Sequence, residues 1–144
     1  MSKSIKLKDN TYIDTNGIAH NKIILNTILD KLIPTILYSN DSGANVNITL
    51  TDNSSNYSYI EILYNDNDGF CGSCKIKNPN GKIAILLTSY INSALSSNFS
   101  YVKVCYIKIS GNTISKIREQ QAYIPDGSIS TTTYFNINMV LGYK

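Results

Sequence analysis

The chain has 144 residues, 42% of them apolar and only 16% charged, which suits a single globular domain and excludes a charge-rich disordered chain. Asn (18), Ser (17) and Thr (11) supply the missing polarity, and with 22 Ile and 11 Tyr they describe a β-rich protein whose surface is wet without being strongly charged. The net charge of +3 comes from Lys and Arg scattered between Lys3 and Lys144, which argues against nucleic acid as a partner, and no apolar stretch approaches the ~20 residues of a membrane helix, so no membrane insertion is expected.

Met1 to Lys8 alternates Lys with Ile and Leu and has no apolar run of signal-peptide length, so export is not expected. Ser4 to Lys8 and Thr11 to Asp14 read as short extended pieces, and Asp14-Thr15-Asn16-Gly17 reads as a turn. From Asn21, an N-cap residue type, Ile24, Leu25, Ile28, Leu29 and Leu32 recur at helical spacing until Pro34 stops the run. A helix of about a dozen residues is marginal alone, so its apolar stripe must dock on something. Two readings stay open: the stripe packs on the chain's own β domain, or Leu25, Ile28 and Leu32 face copies of themselves in an oligomer stem.

Beyond Pro34 the apolar period becomes two, and turn signals recur, among them Asn40-Asp41-Ser42-Gly43, Asn65-Asp66-Asn67-Asp68-Gly69, Asn78-Pro79-Asn80-Gly81, Ser110-Gly111-Asn112 and Pro125-Asp126-Gly127-Ser128. The spacing leaves one strand between successive turns and predicts an all-β fold, an antiparallel β-sandwich that is jelly-roll-like, without internal repeats. Strands are expected at Thr35–Tyr38, Val46–Thr51, Tyr57–Tyr64, Cys71–Lys77, Lys82–Thr88, Tyr101–Ile109, Thr113–Arg118, Gln121–Ile124 and Thr133–Tyr143. In Tyr101–Ile109, Val102, Val104 and Tyr106 occupy one face, while Tyr101, Lys103, Cys105, Ile107 and Ile109 occupy the other. Both faces are partly apolar, and an apolar outer face suggests burial against a neighbouring subunit.

The residues that could carry chemistry have plainer explanations. Cys71-Gly72-Ser73-Cys74 has redox or zinc-knuckle spacing, but it leads into a strand instead of a helix N-terminus, and Cys105 and His20 are too few to complete a zinc site. Free thiols and a cytosolic folding site are the simpler expectation. Tyr64-Asn65-Asp66-Asn67-Asp68-Gly69 imitates a calcium loop, yet Tyr64 and Lys75 would stand where carboxylates are required. Asp66 and Asp68 are therefore read as a solvated hairpin tip, with Gly69 supplying a positive φ. A single His and the absence of a Gly-x-Ser-x-Gly elbow leave no relay for nucleophilic catalysis, and the Asp residues mostly mark turns, so neither enzyme activity nor a cofactor or metal is expected. Tyr59, Tyr64 and Tyr106 lie inside strands and read as structural. Tyr57, Tyr90 and Tyr123 lie beside turns, and with the turn residues Asn53 and Asp126 they are the candidates for receptor binding.

Several motifs carry a resemblance: Asn47-Ile48-Thr49-Leu50-Thr51-Asp52, Tyr59-Ile60-Glu61-Ile62-Leu63-Tyr64 with the acidic turn behind it, and the closing Met139-Val140-Leu141-Gly142-Tyr143-Lys144. Together with Ser4–Lys8, Tyr12-Ile13-Asp14 and His20-Asn21-Lys22 they resemble small bacteriophage fibre proteins, the tail-fibre or receptor-binding head-domain family, over most of the chain. The resemblance implies a homotrimeric virion protein made in the bacterial host cytoplasm. Residues 1–34 would be its attachment and trimerisation segment, contacting other virion proteins, with Leu25, Ile28 and Leu32 in the trimer stem. Residues 35–144 would form a β-sandwich head that binds a host-surface glycan or protein. A non-adhesive capsid decoration, head-fibre or baseplate structural protein is the alternative, and a polysaccharide depolymerase is a third. The short stem and the Cys-x-x-Cys motif depart from the family's pattern.

Overall fold

The computed structural model describes residues 4–6, 12–14, 28–29, 32–44, 47–90, 100–124, 126–132 and 134–144. The chain divides into two compact units, Met1–Pro34 and Thr35–Lys144. In the first, strands β1 (Ser4–Lys6) and β2 (Tyr12–Asp14) pair antiparallel, with Ile5 opposite Ile13. Ile28, Leu29 and Leu32 are helical, and the Ile33 N–H donates to the Leu29 carbonyl at 2.8 Å, one turn ahead of the Pro34 stop. Leu25, His20 and the expected N-cap Asn21 lie outside the described residues.

The second unit is an antiparallel β-sandwich. One sheet has the order β3 (Thr35–Ala44), β11 (Phe135–Tyr143), β5 (Tyr59–Asp66), β6 (Cys71–Lys77), so the last strand is inserted between two early ones. The other is a meander of β7 (Ile83–Tyr90), β8 (Tyr101–Ser110) and β9 (Thr113–Tyr123), with β4 (Ile48–Thr49) and β10 (Ile129–Ser130) sharing the free edge of β9. A single turn of 3-10 helix, Ser54–Asn56, precedes β5.

Alternation gives β5, β7 and β8 their burial, and the register shift between Ile137 and Met139 lets β11 bury both Ile137 and Val140. Ile60, Ile62 and Tyr64 of β5, Ile137 and Val140 of β11, and Leu37 of β3 meet Leu86, Cys105, Ile107, Ile109 and Ile114 of the facing sheet in one core. Each fully buried Ile or Leu contributes roughly 1.5–3 kcal/mol of transfer free energy. Tyr64 crosses the core, and its hydroxyl donates to the Leu87 carbonyl at 3.0 Å and accepts from the Leu87 N–H at 3.2 Å. It thereby satisfies backbone groups on the open edge of β7, which an edge strand otherwise leaves unpaired.

Most strand ends shift by one or two residues, Val46–Thr51 shortens to Ile48–Thr49, and two differences are larger. Thr113–Arg118 and Gln121–Ile124 are one strand, because Glu119 and Gln120, where a break was expected, stay paired with Cys105 and Val104, and the one irregularity is a bulge at Ile117 inside the first piece. Thr35–Tyr38 continues to Ala44, so Asn40–Gly43 does not end the strand.

Candidate functional site at the open end of the sandwich

Register sets the site. Across the inner face of the meander, Thr88, Lys103 and Gln121 are cross-strand neighbours, and all three are buried. One rung further out, Tyr90, Tyr101 and Tyr123 are likewise neighbours and close the end of the sheet. A lysine on a core face is unfavourable unless its ammonium is fully partnered. Lys103 is only 1% exposed, and its Nζ donates to Asp68 Oδ2 at 2.5 Å and to Asn67 Oδ1 at 2.6 Å while lying 3.4 Å from Asp66 Oδ2. The rings of Tyr101 and Tyr134 complete its shell, with centroids 4.9 and 5.3 Å from Nζ.

All three polar partners come from the β5–β6 hairpin of the opposite sheet, and Asp66 is its organiser. Asp66 Oδ1 accepts from the N–H groups of Asp68 at 2.9 Å and Phe70 at 3.0 Å, while Oδ2 accepts the Thr88 hydroxyl at 2.7 Å. The Asn67 N–H is held by the Tyr134 carbonyl at 2.8 Å, and Gly69 turns the chain at φ 88. The expectation of a solvated tip is thus corrected in one part: Gly69 and the half-exposed Asp68 fit it, but Asp66 is 1% exposed because the facing strand supplies a cation for it. Hydrogen bonds from Lys103 first, then from Tyr101, hold the Asp68 carboxyl below the usual aspartate range. Burial, together with its hydrogen bond to Asp68, pushes the Tyr101 phenol well above its ordinary value.

Over this polar floor runs an aromatic row. Phe70 and Tyr90 have ring centroids 5.6 Å apart, Tyr90 and Tyr101 5.7 Å, and Tyr101 and Tyr123 6.4 Å. Two of the receptor-binding candidates, Tyr90 and Tyr123, are therefore brought together by a residue that sequence reasoning did not single out. Asp126 lies on the adjoining β9–β10 turn, exposed, with its carboxylate accepting from the Ser128 N–H at 2.9 Å. Asn53 and Tyr57 are at the other end of the sandwich. Asn53 caps the 3-10 turn by accepting from the Ser55 N–H at 3.0 Å, and the buried Tyr57 donates its hydroxyl to Asp52 at 2.9 Å while its edge helps line a 200 Å³ hollow with Ser55, Asn78, Pro79 and Asn80. Of the five candidates, three share an end and two do not.

The outer faces differ in character. On the β5–β11 sheet, Tyr59 stacks on Tyr143 at 4.3 Å beside an open 390 Å³ pocket lined by Ser58, Tyr59, Lys75 and Lys77. Tyr143 donates to Glu61 Oε2 at 3.2 Å, and Tyr59, read as structural, packs on Tyr143 and also fronts the surface hollow. On the meander, Ile83 (62% exposed), Ile85 (49%) and Leu87 (51%) stand on the outer face of edge strand β7. Half-buried Val104 and Tyr106 lie opposite Leu87 and Ile85, and the Arg118 guanidinium covers Tyr106 at 4.9 Å.

Cys71 and Cys74 are free thiols on opposite faces of β6, since a three-residue separation in a period-two strand cannot bring both to one side. Gly72 between them is fixed by packing, because a Cβ there would stand 2.7 Å from the Tyr64 ring. Burial raises the Cys74 thiol, and burial with the neighbouring Glu119 pushes Cys105 up to about 12. Among the described residues no cluster of three His, Cys, Asp or Glu side chains suits a metal.

The sequence signal nearest the site is Lys103, a charge in parity with Cys105, Ile107 and Ile109, a row that the structure turns to the core. No protein-family model and no curated protein matches the chain.

Proposed function

We propose that the chain is a virion fibre protein whose β-sandwich heads associate as a homotrimer and bind a host-surface glycan or protein with the aromatic end. The observation that carries the reading is the outer face of β7 and β8. Ile83, Ile85, Leu87, Val104 and Tyr106 form one apolar strip on an edge strand, a surface that a solitary sandwich leaves exposed and that a symmetric assembly covers. The resemblance to phage fibre proteins makes the assembly threefold and gives it a receptor.

Binding belongs to the end bearing Tyr90, Tyr123 and Asp126. There, phenol faces and edges pack on the C–H faces of a sugar or on apolar side chains, and the exposed Asp126 carboxylate accepts hydrogen bonds from hydroxyls. Three copies held together multiply a modest single-site affinity without new contacts.

Sedimentation equilibrium of the purified protein should return three times the chain mass, and fluorescently tagged protein should be retained on host cells. Retention should fall at least tenfold in Tyr90→Ser/Tyr123→Ser. A monomeric mass at every concentration, or retention indifferent to that double substitution, would overturn the reading.

A further inference from the structure

Lys103 combines three features found at no other lysine among the described residues. Its amine is removed from water at 1% exposure; a side-chain amide, that of Asn67, stands 2.6 Å away through its Oδ1; and a second carboxylate, Asp66, lies 3.4 Å from the same nitrogen. An amine, an amide carbon and a proton-relaying carboxyl, the amine and the carboxyl both removed from bulk water and the amide at the hairpin tip above them, are the parts of a transamidation. We propose that Lys103 and Asn67 become joined in an intramolecular isopeptide bond, formed by the folded protein itself, that ties the β5–β6 hairpin of one sheet to β8 of the other.

The step balances without any outside reagent. The spare proton of the ammonium passes to the Asp66 carboxylate, and the free Nζ adds to Asn67 Cγ. The new Nζ–Cγ bond forms as the Cγ–Nδ2 bond breaks. One remaining Nζ proton and the proton on Asp66 go to the departing nitrogen, which leaves as ammonium and returns Asp66 to its ionised form. No electron changes hands.

Preorganisation favours the reaction. Asp66 is fixed by the Asp68 and Phe70 amides and by Thr88, the Asn67 backbone is fixed by its N–H on the Tyr134 carbonyl, and its side-chain amide is oriented by Lys103 itself, so the hairpin loses little freedom on the way to the tetrahedral intermediate. The nearer carboxylate is not the electrophile. Asp68 is held ionised by Lys103 and Tyr101, and an anionic carboxylate resists nucleophilic addition, whereas the neutral amide of Asn67 accepts it. This proposal stands apart from the fibre reading and survives its failure.

Intact-mass spectrometry of the denatured protein tests it. The wild-type chain should be lighter than its sequence by one ammonia. Trypsin should fail to cut after Lys103, and fragmentation should return a branched peptide joining residues 67 and 103. Asn67→Ala, a change at an exposed hairpin tip that leaves the core intact, should carry the full mass of its own sequence, as should Lys103→Ala; Asp66→Ala should slow or abolish the loss. A wild-type chain of full mass after prolonged incubation overturns the proposal. An ammonia loss that persists in Lys103→Ala also overturns it, because it marks cyclisation at an asparagine. Loss of one water with the branch at Asp68 overturns the assignment to Asn67.

Discussion

Replacing Ile85 and Leu87 with Ser probes the proposed assembly at its physical basis. The two side chains are 49% and 51% exposed in the isolated chain, so about half of each is left for an interface to cover. Full burial of such a side chain is worth roughly 1.5–3 kcal/mol, and the uncovered half about 1 kcal/mol. Two positions in each of three copies then remove about 6 kcal/mol from the association free energy, or roughly four powers of ten in the association constant at about 1.4 kcal/mol per decade. For a monomer–trimer equilibrium the midpoint concentration varies as the square root of that constant, so the trimer should need about 100-fold more protein to form. Sedimentation velocity across a dilution series measures the midpoint, and far-ultraviolet circular dichroism checks that the sandwich survives. A midpoint that stays within a factor of three of wild type, with the fold intact, would refute the assignment of this face to the interface.

Three further outcomes follow from the core. Glu119→Ala removes the acceptor of the Lys116 ammonium at 2.6 Å and of the Tyr134 and Phe135 N–H groups at 3.1 and 3.2 Å, which clamp the start of β11 to β9. It should lower stability by about 3 kcal/mol in urea titration, as loss of one partner from a largely buried pair does. Asp68 has a folded pKa below its ordinary 3.8, so the stability it contributes is complete above that value and drains away as the pH falls through the folded one. Urea midpoints measured between pH 6 and pH 3, ordinary buffer values for such a series, should fall less steeply in Asp68→Asn than in wild type. The Cys105 thiol, buried and pushed up to about 12, should resist iodoacetamide until the chain unfolds, while exposed Cys71 reacts in the native protein; mass mapping of the alkylated peptides distinguishes them.

Much of the fold was legible because strands announce themselves by local means. Ile60, Ile62 and Tyr64 against Tyr59, Glu61 and Leu63 give the period of β5 directly, and Gly69, Gly81 and Gly111 mark the turns where a positive φ is needed. The bulge at Ile117 was not legible, since an extra residue in a ladder has no signature of its own and Glu119-Gln120 looks like a break in an apolar run. The two apolar faces of β8 could be read, but not which of them is the core.

Tyr90, Tyr123 and Asp126 were recognisable as loop-proximal candidates, whereas their gathering at one end, away from Asn53 and Tyr57, was not. Sequence alone settled strand period and the hairpin turns at Gly69, Gly81 and Gly111, because each depends on neighbours within a few residues. Tertiary structure alone decided that Asp66, Asn67 and Asp68 meet Lys103 and that Asp66 is buried instead of solvated. Alternation tells which side of a sheet a residue occupies, but what stands across from it depends on how two sheets are stacked, and no local pattern encodes that.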